Sequence, residues 1–319
     1  MTAIKASNIL IFGATGFIGQ YITDKVVSAQ PAFDHITIFT SPETVEKKGA
    51  LLDGWKKKAG NVTVVTGNVE SESDVRAAYK EHKIDTVICA FGRAAIAKQI
   101  DLLRWADQEE VAWFLPSEFG TDIEYGPQSA GEPPHQQKLA VRRFIRDEVK
   151  KTQVTYVVTG PYFESWVGRM PGLAGVCPGF DVAAKEALLT DDGEGRVAFT
   201  TMPDVGKLVV AALQHPEAAV GKALKVNSFE VTPNQVLAVY EKLTGAKWTV
   251  SYIPVSKLVE AEKKLWAEQD PKATIITLRR IWAEGGTLYE KTDNEALGLK
   301  PEDMGNVEDV IKELLAAQQ

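Results

Sequence analysis

The sequence predicts an α/β chain, a doubly wound and mostly parallel sheet with a smaller α/β lobe from its C-terminal half. Three observations carry that reading. Short apolar runs alternate with amphipathic stretches through the first half. A glycine-rich turn, Gly13-Ala-Thr-Gly-Phe-Ile-Gly19, joins the first apolar run to the first helical pattern. After Gly160-Pro161 the alternation gives way to an irregular half. Strand–helix alternation of this kind packs helices on both faces of a parallel sheet.

In order, strands are expected at Ile9–Phe12, His35–Thr40, Val62–Val65, Thr86–Phe91, Ala112–Pro116 and Thr155–Thr159. Helical patterns cover 18–29, 44–59, 71–82, 94–107 and 136–150. The segment Met170 to Phe180, rich in glycine and proline, reads as loop. Further strands are expected at Arg196–Thr200 and Ala223–Val226, and helices at Asp204–Gln214, Pro233–Thr244, Val255–Glu268 and Val307–Ala317. The predicted division is a Rossmann unit over 1–165, extended by strands from about 190–228. Residues 166–319 mainly form a substrate-covering lobe interleaved with it.

Composition narrows the function. The 319 residues are 45% hydrophobic and 25% charged, with net charge −7. An acidic chain is a poor match for nucleic acid, whose phosphates need a basic surface. No apolar run is long enough for a membrane span, and Met1-Thr-Ala-Ile-Lys-Ala-Ser7 holds no apolar signal core. Cys89 and Cys177 do not make a disulfide framework, so a reducing cytoplasm is expected. With His35, His82, His135 and His215 dispersed, no metal site is expected.

The glycine turn is the strongest motif. Gly13 lets the chain turn out of the strand, Gly16 leaves the backbone bare to phosphate oxygens, and Gly19 allows close helix packing. The helix start then offers amides and a positive dipole end to an anion. This arrangement suits a dinucleotide pyrophosphate. Ligands of such sheets lie at the carboxyl ends of the strands, so the strand ends carry the next expectations. Thr40 and Ser41 stand where an acidic residue would select NAD, and Lys47-Lys48 lie just beyond, which favours the 2′-phosphate of NADP. Asn68 and Val69 end the third strand near the adenine, and Ala90, Phe91 and Gly92 end the fourth near the nicotinamide ribose. Ser117 and Glu118 follow the fifth.

Lys138 shares a helical face with Val141, Ile145 and Val149. It stands at the start of an apolar stripe and near the positive end of the helix dipole. Both effects favour its neutral form, as an acid/base near neutral pH requires. A lysine whose stem lies on the stripe while its head reaches water fits the same wheel. The Tyr-x-x-x-Lys patterns at Tyr21–Lys25 and Tyr79–Lys83 fall in helices away from any strand end, and neither a Gly-x-Ser-x-Gly elbow nor a P-loop is present.

Taken together, the glycine turn, Pro116-Ser-Glu-Phe-Gly120 and Lys138-x-x-x-Arg-Arg143 resemble the isoflavone reductase-like branch of the NmrA-like atypical short-chain dehydrogenases. That branch includes phenylcoumaran benzylic ether and pinoresinol–lariciresinol reductases, and the flavour here is that of fungal members. The resemblance implies an NADP(H)-dependent reductase of an aromatic or conjugated small molecule, with Lys138 as general acid/base. It implies cofactor contacts from Gly13, Thr15, Gly16, Phe17, Ile18, Gly19, Thr40, Ser41, Lys47, Asn68, Val69, Ala90, Phe91, Gly92, Ser117, Lys138 and Phe163. His135, Tyr162 and Trp166 are expected at the substrate, with Phe163 sharing their aromatic wall. Thr40 departs from the arginine usual in plant members, and Pro161 from their asparagine. A redox sensor that binds NADP without turnover, or a dehydratase or isomerase on the same fold, is the alternative. A monomer or homodimer is expected.

Overall fold

The computed structural model describes residues 4–317. Met1–Ala3, part of the segment read for a leader, lie outside them. The first half runs β1 (Asn8–Phe12), α1 (Gly19–Val27), β2 (His35–Thr40), α2 (Pro42–Lys58), β3 (Val62–Thr66), α3 (Glu72–Glu81), β4 (Thr86–Cys89), α4 (Gln99–Gln108), β5 (Trp113–Leu115), α5 (Gln136–Glu148) and β6 (Gln153–Val154). The strands form one parallel sheet in the order β3-β2-β1-β4-β5-β6. The strand order therefore reverses between β1 and β4, where Phe12 pairs with Phe39 on one side and Cys89 on the other. A crevice at that switch point is where such sheets bind ligands.

The apolar runs are continuous because both faces are covered. Side chains alternate along β1: Ile9 and Ile11 join one core with Ile22, Ile36 and Leu208, while Leu10 and Phe12 join the other with Val75, Leu102 and Phe114. Helix starts follow local chemistry. Ser41 caps α2 by accepting from the Thr44 amide at 3.2 Å, and Ser71 does the same for α3 through Asp74.

The second half runs β7 (Tyr156–Val158), α6 (Phe163–Val167), β8 (Gly179–Asp181), β9 (Glu186–Thr190), β10 (Val197–Phe199), α7 (Met202–Gln214), α8 (Pro216–Ala219), β11 (Ala223–Lys225), β12 (Phe229–Val231), α9 (Pro233–Thr244), β13 (Thr249–Ile253), α10 (Val255–Ala267), α11 (Ala273–Ala283) and α12 (Val307–Ala316). Chain continuity carries β6 into β7, and β11 pairs with β7 in parallel. A second sheet, β13-β9-β8, and the antiparallel pair β10–β12 stand apart from it. Their core is aromatic: Phe163, Trp166, Phe180, Phe199, Tyr240 and Trp248 are all buried there.

The α/β architecture is the expected one, with corrections. Arg196–Thr200 was expected to extend the main sheet, yet β10 pairs with β12; only the Ala223 strand extends the parallel set. The expected loop Met170 to Phe180 ends in β8. The sequence reading missed β9, β12, β13 and α11. The strands are short, and the Thr-Ile-Ile-Thr run of α11 has the β-branched composition of a strand. His135 precedes the helix expected over 136–150, in a 3₁₀ turn, Pro133–His135.

Candidate active site

The glycine turn packs against the end of β4. A Cβ on Gly13, where φ is +73°, would meet the Ala90 carbonyl oxygen at 2.6 Å, and one on Gly19 would lie 2.0 Å from the Gly13 carbonyl oxygen. The backbone of the turn is thus too close for side chains at either position. Gly16 donates its amide to the Gly13 carbonyl at 2.9 Å and Gln20 to that of Gly16. The amides of Thr15, Phe17 and Ile18 have no backbone acceptor among the described residues. No side chain caps α1 and no acidic residue stands in its first turn. This cradle is open to an anion and fits a pyrophosphate.

The residues expected on the adenosine side, at the ends of β2 and β3, are engaged in local structure. The Ser41 hydroxyl caps α2. The exposed Lys47 ammonium pairs with Glu43 at 2.6 Å, a solvated pair that costs little to break. The Asn68 side chain accepts from the Glu70 amide at 3.0 Å in a turn after β3. Thr40 and Val69 are half-buried beside them.

On the other side of Gly13 a cavity of about 420 Å³ opens. Ala90, Phe91 and Gly92 from the end of β4, Ser117 from that of β5, Phe17 and Ile18 from the glycine turn, and His135, Lys138 and Tyr162 all line it. Ser117 is held in place by its hydroxyl, which donates to the Phe91 carbonyl at 2.8 Å, and by its amide, which donates to the Gln99 side chain at 2.6 Å. Phe17, 62% exposed, stands at the rim.

Lys138 enters this cavity from the first turn of α5, and its ammonium donates to the Glu118 carbonyl. Burial pushes its pKa below the ordinary lysine value; the Glu118 carboxylate opposes this, while the cations of Arg93 and Arg142 add to it. The Glu118 carboxylate meets the fully buried Arg142 at 2.9 Å through Oε1, and Arg142 also meets Glu124 at 2.8 Å. Burial works against the Arg142 charge, yet these two carboxylates hold it firmly protonated. Its guanidinium stacks over the Tyr156 ring at 4.4 Å.

His135 is buried with Nδ1 3.0 Å from the Ser129 carbonyl oxygen. A carbonyl only accepts, so Nδ1 carries the proton, and Nε2 is left as an acceptor with no partner among the described residues. Burial lowers the His135 pKa. The Ser129 bond and Glu132 oppose that shift, whereas Lys138 and Arg93 reinforce it. The ring is therefore neutral at pH 7. Tyr162 donates its hydroxyl to the Phe119 carbonyl and faces Phe17 with ring centroids 6.2 Å apart.

Two expectations are corrected. Phe163 and Trp166 do not line the cavity; both pack into the aromatic core, with ring centroids 5.4 and 4.7 Å from Phe199. The turn of α6 sends Tyr162 to the cavity and the next ring to the core. On that side the wall comes instead from α11, which the sequence reading missed. Ile275, Leu278, Arg279 and Trp282 face the cavity at helical spacing, and Trp282 donates to the Thr121 hydroxyl at 2.7 Å. That i, i+3, i+4, i+7 stripe was the available signal. The buried role of Arg142 was also missed, because arginine on a helix ordinarily reads as solvated.

Comparison with known proteins shows the family and the fold. The model of the NmrA-like family matches residues 5–291. The chain is similar to phenylcoumaran benzylic ether reductase IRL1 of Ginkgo biloba, 29% identical over 92% of each chain. It is 28% identical to oxidoreductase aprR of Aspergillus flavus, over 96% of this chain and 98% of that one. Among solved structures, the leucoanthocyanidin reductase–NADPH complex of Vitis vinifera superposes with a TM-score of 0.75 at 22% identity, covering 97% of this chain and 99% of that one.

Proposed function

The chain belongs to the NmrA-like family, and from that premise we propose that it is an NADPH-dependent reductase of an aromatic or conjugated small molecule. The observation that carries the reading is one cavity bounded by the glycine turn, by the Lys138 ammonium and by apolar walls. The relatives named for benzylic ether reduction and for oxidoreductase activity support it. So does the NADPH in the similar grape structure.

The residues fit the cofactor. Gly13 and Gly19 let the turn fold tightly on itself and on β4, its free amides suit a pyrophosphate, and Lys47 can turn from Glu43 to a 2′-phosphate at little cost. When bound, NADPH supplies a hydride to an electrophilic carbon of the substrate. As that carbon gains the hydride, the electron pair of its bond to oxygen moves onto the oxygen, which needs a proton. Lys138 is placed to give it, with its lowered proton affinity set by burial and by Arg93 and Arg142. The Glu118 carbonyl fixes the ammonium in direction. The free Nε2 of His135 orients a substrate hydroxyl by accepting its hydrogen bond. Phe17 and Tyr162 keep the reacting end dry.

The test is direct. Purified protein is titrated with NADPH and NADH by fluorescence, then mixed with aromatic ketones, enones and benzylic ethers while nicotinamide absorbance is followed. We expect tighter NADPH binding, and turnover that Lys138→Met lowers by about 10²–10⁴-fold with NADPH binding intact. Full turnover by Lys138→Met overturns the mechanism. Tight cofactor binding without turnover of any compound moves the protein to a sensor.

A further inference from the structure

The cavity has a second unusual cation, on the lobe side. Arg279 of α11 is only 4% exposed. Its Nη2 donates a long bond of 3.4 Å to the Ser165 carbonyl, and its Nε and Nη1 are buried with no acceptor among the described residues. The guanidinium lies 5.4 Å from the Trp166 ring and 5.8 Å from that of Trp282. The adjacent Arg280 shows what a satisfied arginine looks like in this helix: it meets Glu132, Glu262 and Glu284 at 2.7–2.8 Å. Arg279 forms no ion pair among the described residues. Leaving a charge buried and unpaired is costly, and such a group calls for a missing partner.

No counter-charge comes from the described residues around it. The Cys177 thiol lies against Arg279, but burial outweighs the pull of that cation and keeps the thiol protonated. A smaller cavity of about 100 Å³ on the far side of Arg279 is bordered by Asp191 and Asp192, but these accept from the Val255 and Glu194 amides instead. Within the main cavity Arg93, Lys138 and Arg279 are the cations. The single carboxylate, Glu118, pairs with Arg142 through Oε1 and makes no ion pair with Arg279. The lining is therefore cationic and otherwise largely apolar.

We propose that Arg279 is a carboxylate-binding residue, and that the natural substrate is an aromatic or conjugated acid held by its carboxylate at the α11 wall. The guanidinium lines the cavity with no carboxylate against it, so a ligand carboxylate there would supply the missing counter-charge and an acceptor. The Trp166 and Trp282 rings flank it and stabilise the cation. The inference rests on the reductase reading only for the use of the cavity, not for its charge.

Calorimetric titration of the NADP⁺-saturated protein with three matched pairs tests it: benzoate, cinnamate and 2-naphthoate, each against its methyl ester. At least one acid is expected to bind about 10- to 100-fold tighter than its ester. The preference is expected to vanish in Arg279→Gln, survive in part in Arg279→Lys, and persist in Lys138→Met. Arg279→Met, which removes an unpaired buried charge, is expected to melt no lower than the parent protein, so loss of binding is not loss of fold. Absence of any acid preference, including binding by no compound, overturns the proposal, as does a preference that survives Arg279→Gln. An Arg279-dependent preference without NADPH consumption by any compound sinks the reductase reading and leaves the carboxylate site standing.

Discussion

Lys138 and Arg142, one turn apart on α5, grip the two ends of Glu118. The Lys138 ammonium takes its carbonyl oxygen and the Arg142 guanidinium takes its carboxylate at 2.9 Å. Glu118, three residues past β5, thereby sets the direction of the Lys138 ammonium and ties α5 to the sheet edge.

Arg142→Met leaves the Glu118 and Asp122 carboxylates buried with less compensation. It is expected to cost about 3–5 kcal/mol in urea denaturation. Adding Glu118→Gln to it should recover part of that loss, since an uncharged amide is cheaper to bury. A neutral single variant would show that the pair is not what holds α5.

The Lys138 pKa is lowered by burial and, further, by the Arg93 and Arg142 cations. Removing a cation reverses its share, so Arg93→Met is expected to raise that pKa. The limb of the pH–rate profile that reports Lys138 then moves to higher pH. A limb that stays in place assigns it to another group.

Gly19→Ala places a methyl against the Gly13 carbonyl, whereas Gly16→Ala brings one to only 3.1 Å of it. The first variant is expected to lose about 1–3 kcal/mol of stability and most NADPH affinity, and the second clearly less of both. Thermal melts and NADPH fluorescence titration check the order. Equal losses would mean that the turn relaxes.

His135 has its folded pKa below 6.5, chiefly through burial. Between that value and 6.5 the unfolded chain binds more protons, so the His135 contribution to stability is lost as pH falls through this window. Lys138 and Arg93 face the ring and deepen the effect, and Glu132 opposes it. In urea titrations, His135→Gln is expected to lose less stability than the parent protein over the same fall in pH. Parallel curves would show that the ring is not titrating.

Much of this was legible in the chain. Gly13 and Gly19 mark the glycine turn because the backbone there leaves no room for a Cβ, a constraint written in residue identity. Lys138 could be flagged because its wheel position is local. Trp166 misled because an aromatic next to a cavity-lining Tyr162 looks the same in sequence whether it faces ligand or core. Arg279 was invisible because its burial depends on where α11 lands.

The division follows from range. Local spacing determined the strand–turn–helix units, and with them the mostly parallel sheet, since periodicity and turn chemistry act over neighbouring residues; the strand order was read only from the structure. Packing of the irregular C-terminal half decided which side chains close the cavity and which cations are left unpaired. Those outcomes set residues 138 and 279 on facing elements through contacts across more than a hundred positions of chain, such as Trp282 to Thr121, and no local pattern encodes such a meeting.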